Sequence, residues 1–355
     1  AMEDAPLPFS EEERRIGLGG LGRHYLADPL GAIGDPTESG WPPASLARYD
    51  DVTLRQLLER KGATEATIAL FTAGSDLGYR YSALEILMHA ALSGPPFERI
   101  VGGSDRLPRR MAEELGERIR YGRVVRRVEH GDGRVRLRAE VRRGPDGGSS
   151  ETVEAERAIL ALPFTTLRAV DFRPGLSPPK AAAIQSLRYE DSVRVYLETG
   201  RRFWREQGLS GFARTDHPME IWDASHGQEG RRGLLMSYLR GGRAREGDAL
   251  SRRQRHDRNE AAVTEVFPGL KGRVTGRSSW SWRRDRWALG AYSFYAPGEM
   301  LRFHHDVATP EGPLHFSGEH TTVWPGWMEG ALASGERAAR EVGSSLRREA
   351  TGGAA

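Results

Sequence analysis

The sequence predicts a mixed α/β chain with room for two domains, on three observations. The chain has 355 residues, enough for more than one hydrophobic core. Residues 10–96 follow helical periodicity, whereas the next stretch reads as a helix, a β-meander and a buried strand stopped by Pro163. Near the C-terminus a second buried strand, Pro313–Gly318, leads through a glycine-containing loop into a long helix.

Composition narrows the function. There are 52 Lys+Arg against 49 Asp+Glu, a formal charge of +3. Over this length that is nearly neutral and gives no reason to expect nucleic acid. Only Lys61, Lys180 and Lys271 are lysines. No cysteine is present, so disulfides, thiolate metal sites and a cysteine nucleophile are excluded. No apolar run is long enough for a membrane-spanning helix. Ala1–Pro6 has neither the basic nor the apolar region of a signal peptide. The chain begins with Ala1 rather than Met, and the expectation is a fragment, with a processed or split subunit as the alternative.

The elements come in order. Ser10 before Glu11, Glu12 and Glu13 is a helix-capping start. Asp28–Pro43, rich in Gly and Pro, predicts a loop. Amphipathic helices begin near Asp51 and run over 82–92, with Leu84, Leu87 and Met88 on one face. Ile100-Val-Gly-Gly103 predicts a tight turn, and Leu107-Pro108 a helix to Glu117 carrying Met111 and Leu115 on one face. Val124–Val128 is a strand, Gly131-Asp-Gly133 a hairpin turn, and Val135, Leu137, Ala139 and Val141 alternate along a half-wet strand. Pro145–Gly148 is another turn, and Arg157–Pro163 reads as buried strand. Helices are expected over 179–187 and 249–267, and strands over 192–198 and 233–239. The C-terminal helix, 328–346, has Ala331, Leu332, Ala338 and Val342 for its packed face, and 351–355 is a disordered tail.

Two glycine-rich stretches compete for a nucleotide. Gly17-Leu-Gly-Gly-Leu-Gly22 fits the G-x-G-x-x-G pattern, but a charged helix precedes it where a buried strand is required. Glycines that end a helix and open a turn are the expected reading. The second stretch is Gly318-Glu319-His320-Thr321, followed by Gly326-Trp327-Met328-Glu329-Gly330 at a helix start. A helix N-terminus offers unpaired N–H groups and partial positive charge, which suit an anion or electron-rich carbonyl. Glu319 is available to accept hydrogen bonds. Asp223, His226 and Glu229, and His304-His305-Asp306, have no zinc-type spacing, so no metal is expected.

His315-Phe-Ser-Gly-Glu-His-Thr321 with Gly326-Trp-Met-Glu-Gly-Ala-Leu-Ala-Ser-Gly335 resembles the C-terminal signature of the FAD-dependent amine oxidases, the family of monoamine, polyamine and L-amino-acid oxidases. Ile100–Pro108 resembles the family's central motif, and Ala161-Leu-Pro163 its strand end before the crossing to the substrate domain. Trp287-Ala-Leu-Gly-Ala-Tyr292 resembles its flavin-lining segment. The resemblance implies a two-domain FAD-dependent amine-oxidase-like α/β fold, related to hydroxybenzoate hydroxylase and glutathione reductase. It also implies that the first Rossmann βαβ unit, which carries the true glycine fingerprint, is missing from this sequence. The implied division is 1–96 and 165–284 for the substrate domain, 97–164 and 285–346 for the FAD domain, and 347–355 as a flexible tail.

The resemblance also implies the site. Tyr292 and Trp327 match the two aromatic rings that steer the substrate nitrogen. Arg194 falls where the family often has a lysine holding a water at the flavin. Val125, Trp287, Gly318, Glu319, Gly326, Trp327 and Met328 match cofactor-binding positions, Val125 by its backbone at the adenine. Ala291 stands where some members carry a cysteine bonded to flavin, so the implied FAD is noncovalent. The implied reaction is oxidative deamination of an amine or L-amino acid, with O2 returning FAD to its oxidised form and giving H2O2. The alternatives are a related desaturase or protoporphyrinogen-oxidase-like enzyme, and a flavin-free binding or scaffold subunit. Expected partners are the small-molecule substrate and O2, with a homodimer allowed. A cytoplasmic location is favoured.

Overall fold

The computed structural model describes residues 8–72, 77–92, 98–142, 148–215 and 217–352. The chain divides into two compact units. The first comprises 1–101, 190–291 and 295–298, and the second 102–189, 292–294 and 299–355. The expected crossings at 164 and 284 therefore move to 189 and 291. Residues 165–189 stay with the second unit because Asp171–Arg173 continues its sheet and the helix Pro178–Ser186 packs on the helix Met300–Ala308. Residues 285–291 stay with the first because Ala291 N–H donates to the Glu190 carbonyl at 2.8 Å.

In the second unit, β1 (Arg123–Gly131), β2 (Arg134–Val141) and β3 (Ser150–Ala155) form the meander. The turn expected at 145–148 falls mostly outside the described residues. The chain continues as β4 (Ala158–Leu160), β5 (Asp171–Arg173), which pairs parallel with β1, and the short β6 (Arg188–Tyr189). The first unit holds an antiparallel sheet of β7 (Ser192–Thr199), β8 (Ala213–Arg214), β9 (Glu220–Asp223), β10 (Gly233–Arg240) and β11 (Val274–Ser281), in spatial order 11-7-10-9-8. The second unit is completed by β12 (Ser293–Phe294), paired with β6, and β13 (Leu314–Phe316), which runs parallel to β4.

Strand periodicity sorts the first unit's sheet. On β7, Val193, Val195 and Leu197 are fully buried. Val193 and Val195 pack with Leu239 and Ala244, and Leu197 with Trp204, Val263 and Phe267. Arg194 and Tyr196 alternate with them and occupy the opposite, half-buried face.

Several expectations change. The Gly/Pro stretch is not loop from Asp28, since one helix spans Leu18–Ala32 and contains a buried Pro29. Gly17 ends the helix Glu11–Ile16 at φ 74°, as expected, but Gly19, Gly20 and Gly22 lie inside the next helix rather than in a turn. The expected 249–267 helix forms as Arg252–Val266, and a separate helix, Gly241–Ala249, precedes it. The chain extends at Leu250 and restarts on a Ser251–Gln254 capping box. Helix Arg106–Leu115 buries none of its residues, and Met111 and Leu115 are exposed. Ile159, in the strand read as buried, is 42% exposed. The C-terminal helix runs from Met328 to Gly352, taking in Thr351 and Gly352 of the expected tail. It packs through Ser334 and Ala338 rather than through Ala331 and Leu332.

The helical setting of Gly19 reverses an intuition about G-x-G-x-x-G. A Cβ at Gly19 would meet nothing within 4 Å. Gly19→Ala should therefore raise stability by about 0.5–1 kcal/mol through lower unfolded-state entropy, with flavin content unchanged. Urea unfolding and flavin absorbance read the two effects; a nucleotide phosphate held at Gly19 would reverse the second.

Candidate active site

The site grows from the end of β13. Leu314 and Phe316 are fully buried, and the backbone leaves the strand through Gly318 at φ 132°. A Cβ at Gly318 would lie 2.4 Å from His320 Cε1, so only glycine fits. The Gly318 N–H donates to Ser334 Oγ at 2.9 Å, and Ser334 Oγ donates to the Ala331 carbonyl at 2.8 Å. The strand end is thereby tied to the first turn of the C-terminal helix. Arg337, one turn further on, donates to the Phe316 carbonyl at 2.8 Å and Thr321 Oγ1 at 3.0 Å. Gly330 must also lack a side chain, because its Cβ would stand 2.3 Å from the Trp324 carbonyl oxygen.

Glu319 gathers the loop. One carboxylate oxygen accepts from Ser293 N at 3.0 Å. The other accepts from Ser293 Oγ at 3.0 Å and Gly326 N at 2.7 Å. The residue after Tyr292 and the residue before Trp327 thus share one carboxylate. Gly326, at φ 80°, lies against the Tyr292 ring; a Cβ there would be 3.3 Å from Tyr292 Cδ2. Trp327 and Met328 open the helix and are 44% and 45% exposed.

Burial shifts the titratable groups around the loop. His320 is almost wholly buried, edge-on to Phe164 at 4.4 Å. Burial, with the positive charges of Lys180 and Arg337, lowers its pKa to about 3. Burial likewise raises the Tyr189 phenol well above its usual range, helped by the Glu319 carboxylate. Tyr189 Oη accepts from Phe164 N at 2.9 Å. Lys180 caps the Met300–Ala308 helix by donating to the carbonyls of Asp306 and Val307, with its amine 3.8 Å from the Phe316 ring centre. Burial lowers its pKa to about 8.

His320 predicts an acid limb. The unfolded histidine titrates near 6.5 and the folded one near 3, so the unfolded state binds the extra proton between those values. Its contribution is complete above pH 6.5 and is lost as pH falls toward 3. His320→Gln should make this acid limb shallower by up to a few kcal/mol, seen as Tm against pH. An unchanged slope would mean that His320 does not remain neutral in the fold.

The structure thus brings Gly318, Glu319, Tyr292, Gly326, Trp327 and Met328 into one constellation. Val125 belongs to the same unit, on β1, where the register to β2 shifts between Val125 and Arg127. That bulge takes backbone out of the ladder. Arg194 and Trp287 belong to the other unit. Arg194 is half-buried on β7, with its guanidinium 4.7 Å from the Tyr238 ring centre. Trp287 stacks with Arg286 at 4.5 Å and lines a cleft of about 640 Å³ with Trp280, Arg252 and Arg255.

Sequence reasoning missed the residues that do the fixing. Ser293, Ser334 and Arg337 are examples, and so is Glu190, which is fully buried. Its carboxylate accepts from Arg80 at 2.9 Å, Tyr81 at 2.8 Å and the N–H groups of Asp191 and Gly241 at 3.0 Å. Asp223 is also structural, accepting from Trp204, Arg205 and Ser225. Among the described residues, no three metal-ligand side chains gather.

A flavin fits this constellation on physical grounds. The open start of a 25-residue helix, reached through glycines, offers N–H groups to an electron-rich ring edge, and exposed Trp327 and Met328 offer apolar surface beside it. Residues 42–343 match the family described as flavin containing amine oxidoreductase, and the chain belongs to that family. Among curated relatives, the L-amino-acid oxidase of Protobothrops flavoviridis is 25% identical over 84% of this chain and 60% of its own length. L-amino acid oxidase Lm29 of Lachesis muta is 25% identical over 95% of this chain and 66% of its own. The chain thus spans less than two thirds of these relatives. A solved putrescine oxidase bound to putrescine is 26% identical, with TM-score 0.79, covering 95% of this chain and 77% of that one.

Proposed function

We propose that the chain forms most of a flavin-dependent oxidase acting on an amine or L-amino acid. The observation that carries this reading is the Glu319 carboxylate joining Ser293 to Gly326, which sets Tyr292 against the approach to Trp327 at an open helix start. FAD, held without a covalent bond, would accept a hydride from the carbon bearing the amine and pass the electrons to O2, giving H2O2. Tyr292 and Trp327 present ring faces whose negative potential steers a polarised amine. The helix start at Met328 would hold negative charge at the ring edge, Gly318 and Gly326 would let the backbone approach, and Val125 would offer backbone to the adenine. Arg194, on β7 of the first unit, carries a guanidinium that stays charged.

The test is to add FAD to the purified chain, record the flavin spectrum, and measure peroxide with panels of amines and L-amino acids. Flavin uptake with substrate-dependent peroxide is expected. Flavin uptake with desaturation and no ammonia release would favour the desaturase reading. Failure to take up any flavin, by a chain shown to be folded, would count against the oxidase reading for this chain by itself and favour the scaffold reading.

A further inference from the structure

The cleft of about 640 Å³ lies wholly within the first unit, where the start of helix Arg252–Val266 meets the edge strand β11 and the turns after it. Its volume suits a small-molecule ligand. Trp280 and Trp287 line it and are 53% and 45% exposed. The polar groups of the lining fall into two sets. Arg255 donates to the Gly247 carbonyl at 2.8 Å and to Ser279 Oγ at 3.2 Å, and Arg284 donates to the Asp248 carbonyl. Both guanidinium groups also stand near the buried Asp248 carboxylate, at 3.8 and 3.7 Å. Ser281 Oγ donates to Asp248 at 3.0 Å, and Asp285 accepts from the Trp287 N–H at 2.8 Å. Arg252 and Arg286 remain. Neither has an ion pair or hydrogen bond among the described residues, and Arg286 lies over the Trp287 ring. Other arginines of this unit do find acids: Arg245 and Arg283 at Asp191, Arg258 at Glu246, Arg277 at Glu260. Four guanidinium groups against the carboxylates of Asp248 and Asp285 leave two positive charges on the cleft.

We infer that this cleft binds a nucleoside phosphate, with the base against Trp280 and Trp287 and the phosphate on Arg252 and Arg286. Two uncompensated positive charges match a phosphate dianion better than a monoanion, and the guanidinium fork suits phosphate oxygens. Indole rings stack on any nucleobase, and the arginine on Trp287 reinforces that platform. The sequence resemblance gives Trp287 to the flavin; this assignment gives it to a second nucleotide. It concerns the first unit alone and does not depend on the oxidase reading.

Isothermal titration of the purified chain with ADP, adenosine and inorganic phosphate tests it without turnover, and quenching of tryptophan fluorescence reads the same binding. ADP should bind more tightly than adenosine or phosphate, each by about tenfold or more. The double variant Arg252→Gln, Arg286→Gln should weaken ADP by about tenfold or more and leave adenosine unchanged. Trp280→Ala should weaken ADP and adenosine alike and leave phosphate unchanged. All of these side chains are exposed or line the cleft, and circular dichroism checks that the variants fold. In FAD-loaded protein freed of excess FAD, one equivalent of ADP should still bind. Failure of the parent chain to bind ADP would overturn the inference, and so would equal ADP affinity in the parent and the folded double variant. Phosphate binding as tightly as ADP would make the cleft a simple anion site and overturn it. Loss of the ADP site on loading with FAD would make the cleft part of the cofactor's own site and overturn it also.

Discussion

Replacing Tyr292 or Trp327 by alanine in the flavin-loaded protein is expected to lower turnover by about 1–3 kcal/mol in barrier, roughly 5- to 150-fold. Cofactor content should change far less. The two residues are held by different means that converge. Tyr292 is followed by Ser293, whose N–H and hydroxyl both donate to Glu319, and Gly326, just before Trp327, donates to the same carboxylate. On the proposed reading the pair would orient substrate from a backbone fixed independently of the rings. Removing a ring leaves that backbone intact, so the loss falls on orientation. Trp327→Phe should recover part of the rate, because a ring face remains. Flavin absorbance and steady-state rates measure the two quantities. If both alanine variants oxidise amines and amino acids normally, the aromatic pair has no steering role.

Gly318→Ala should give the largest loss of stability. Two costs combine: φ 132° is nearly closed to a residue with a Cβ, and that Cβ would sit 2.4 Å from His320 Cε1 and 2.7 Å from Nδ1. His320 cannot retreat, being buried against Phe164. We expect about 3–5 kcal/mol from strain and overpacking together, read as a fall in the urea midpoint. Gly326→Ala should cost less, because its Cβ comes no closer than 3.3 Å to the Tyr292 ring, yet it should disturb turnover by pushing that ring. Near-wild-type stability of Gly318→Ala would refute the packing assigned to His320.

The positions of the candidate site are legible in the sequence because they sit at punctuation marks. A strand ending in Gly318, a helix beginning at Met328 and glycines between them form a local pattern with a physical meaning. The alternation on β7 likewise separates Arg194 from the valines by residue order alone. Long-range pairing is what the sequence does not disclose. Glu319 meets Ser293 across 26 residues, and Glu190 reaches Tyr81 across 109. No local spacing encodes such partners. Helix boundaries fail where two signals compete. Pro29 and its glycine neighbours look like loop residues but tolerate helix once Leu21 and Tyr25 are buried on its face. The stripe of Met111 and Leu115 reads as a packed face on periodicity alone, yet it stays exposed, because periodicity specifies a face and not a neighbour.

The burial of Lys180 has a practical consequence for covalent chemistry. Of the three lysines, Lys61 and Lys271 lie where a reagent can reach them, whereas Lys180 is only 2% exposed. With its pKa lowered to about 8, the Lys180 amine is largely nucleophilic in mildly alkaline solution, and access alone withholds it. Acylation by an amine-specific ester should therefore proceed in two phases: a fast one at Lys61 and Lys271, and a slow one at Lys180. The slow phase is a clock for opening of the second unit, which peptide mass spectrometry can read one residue at a time.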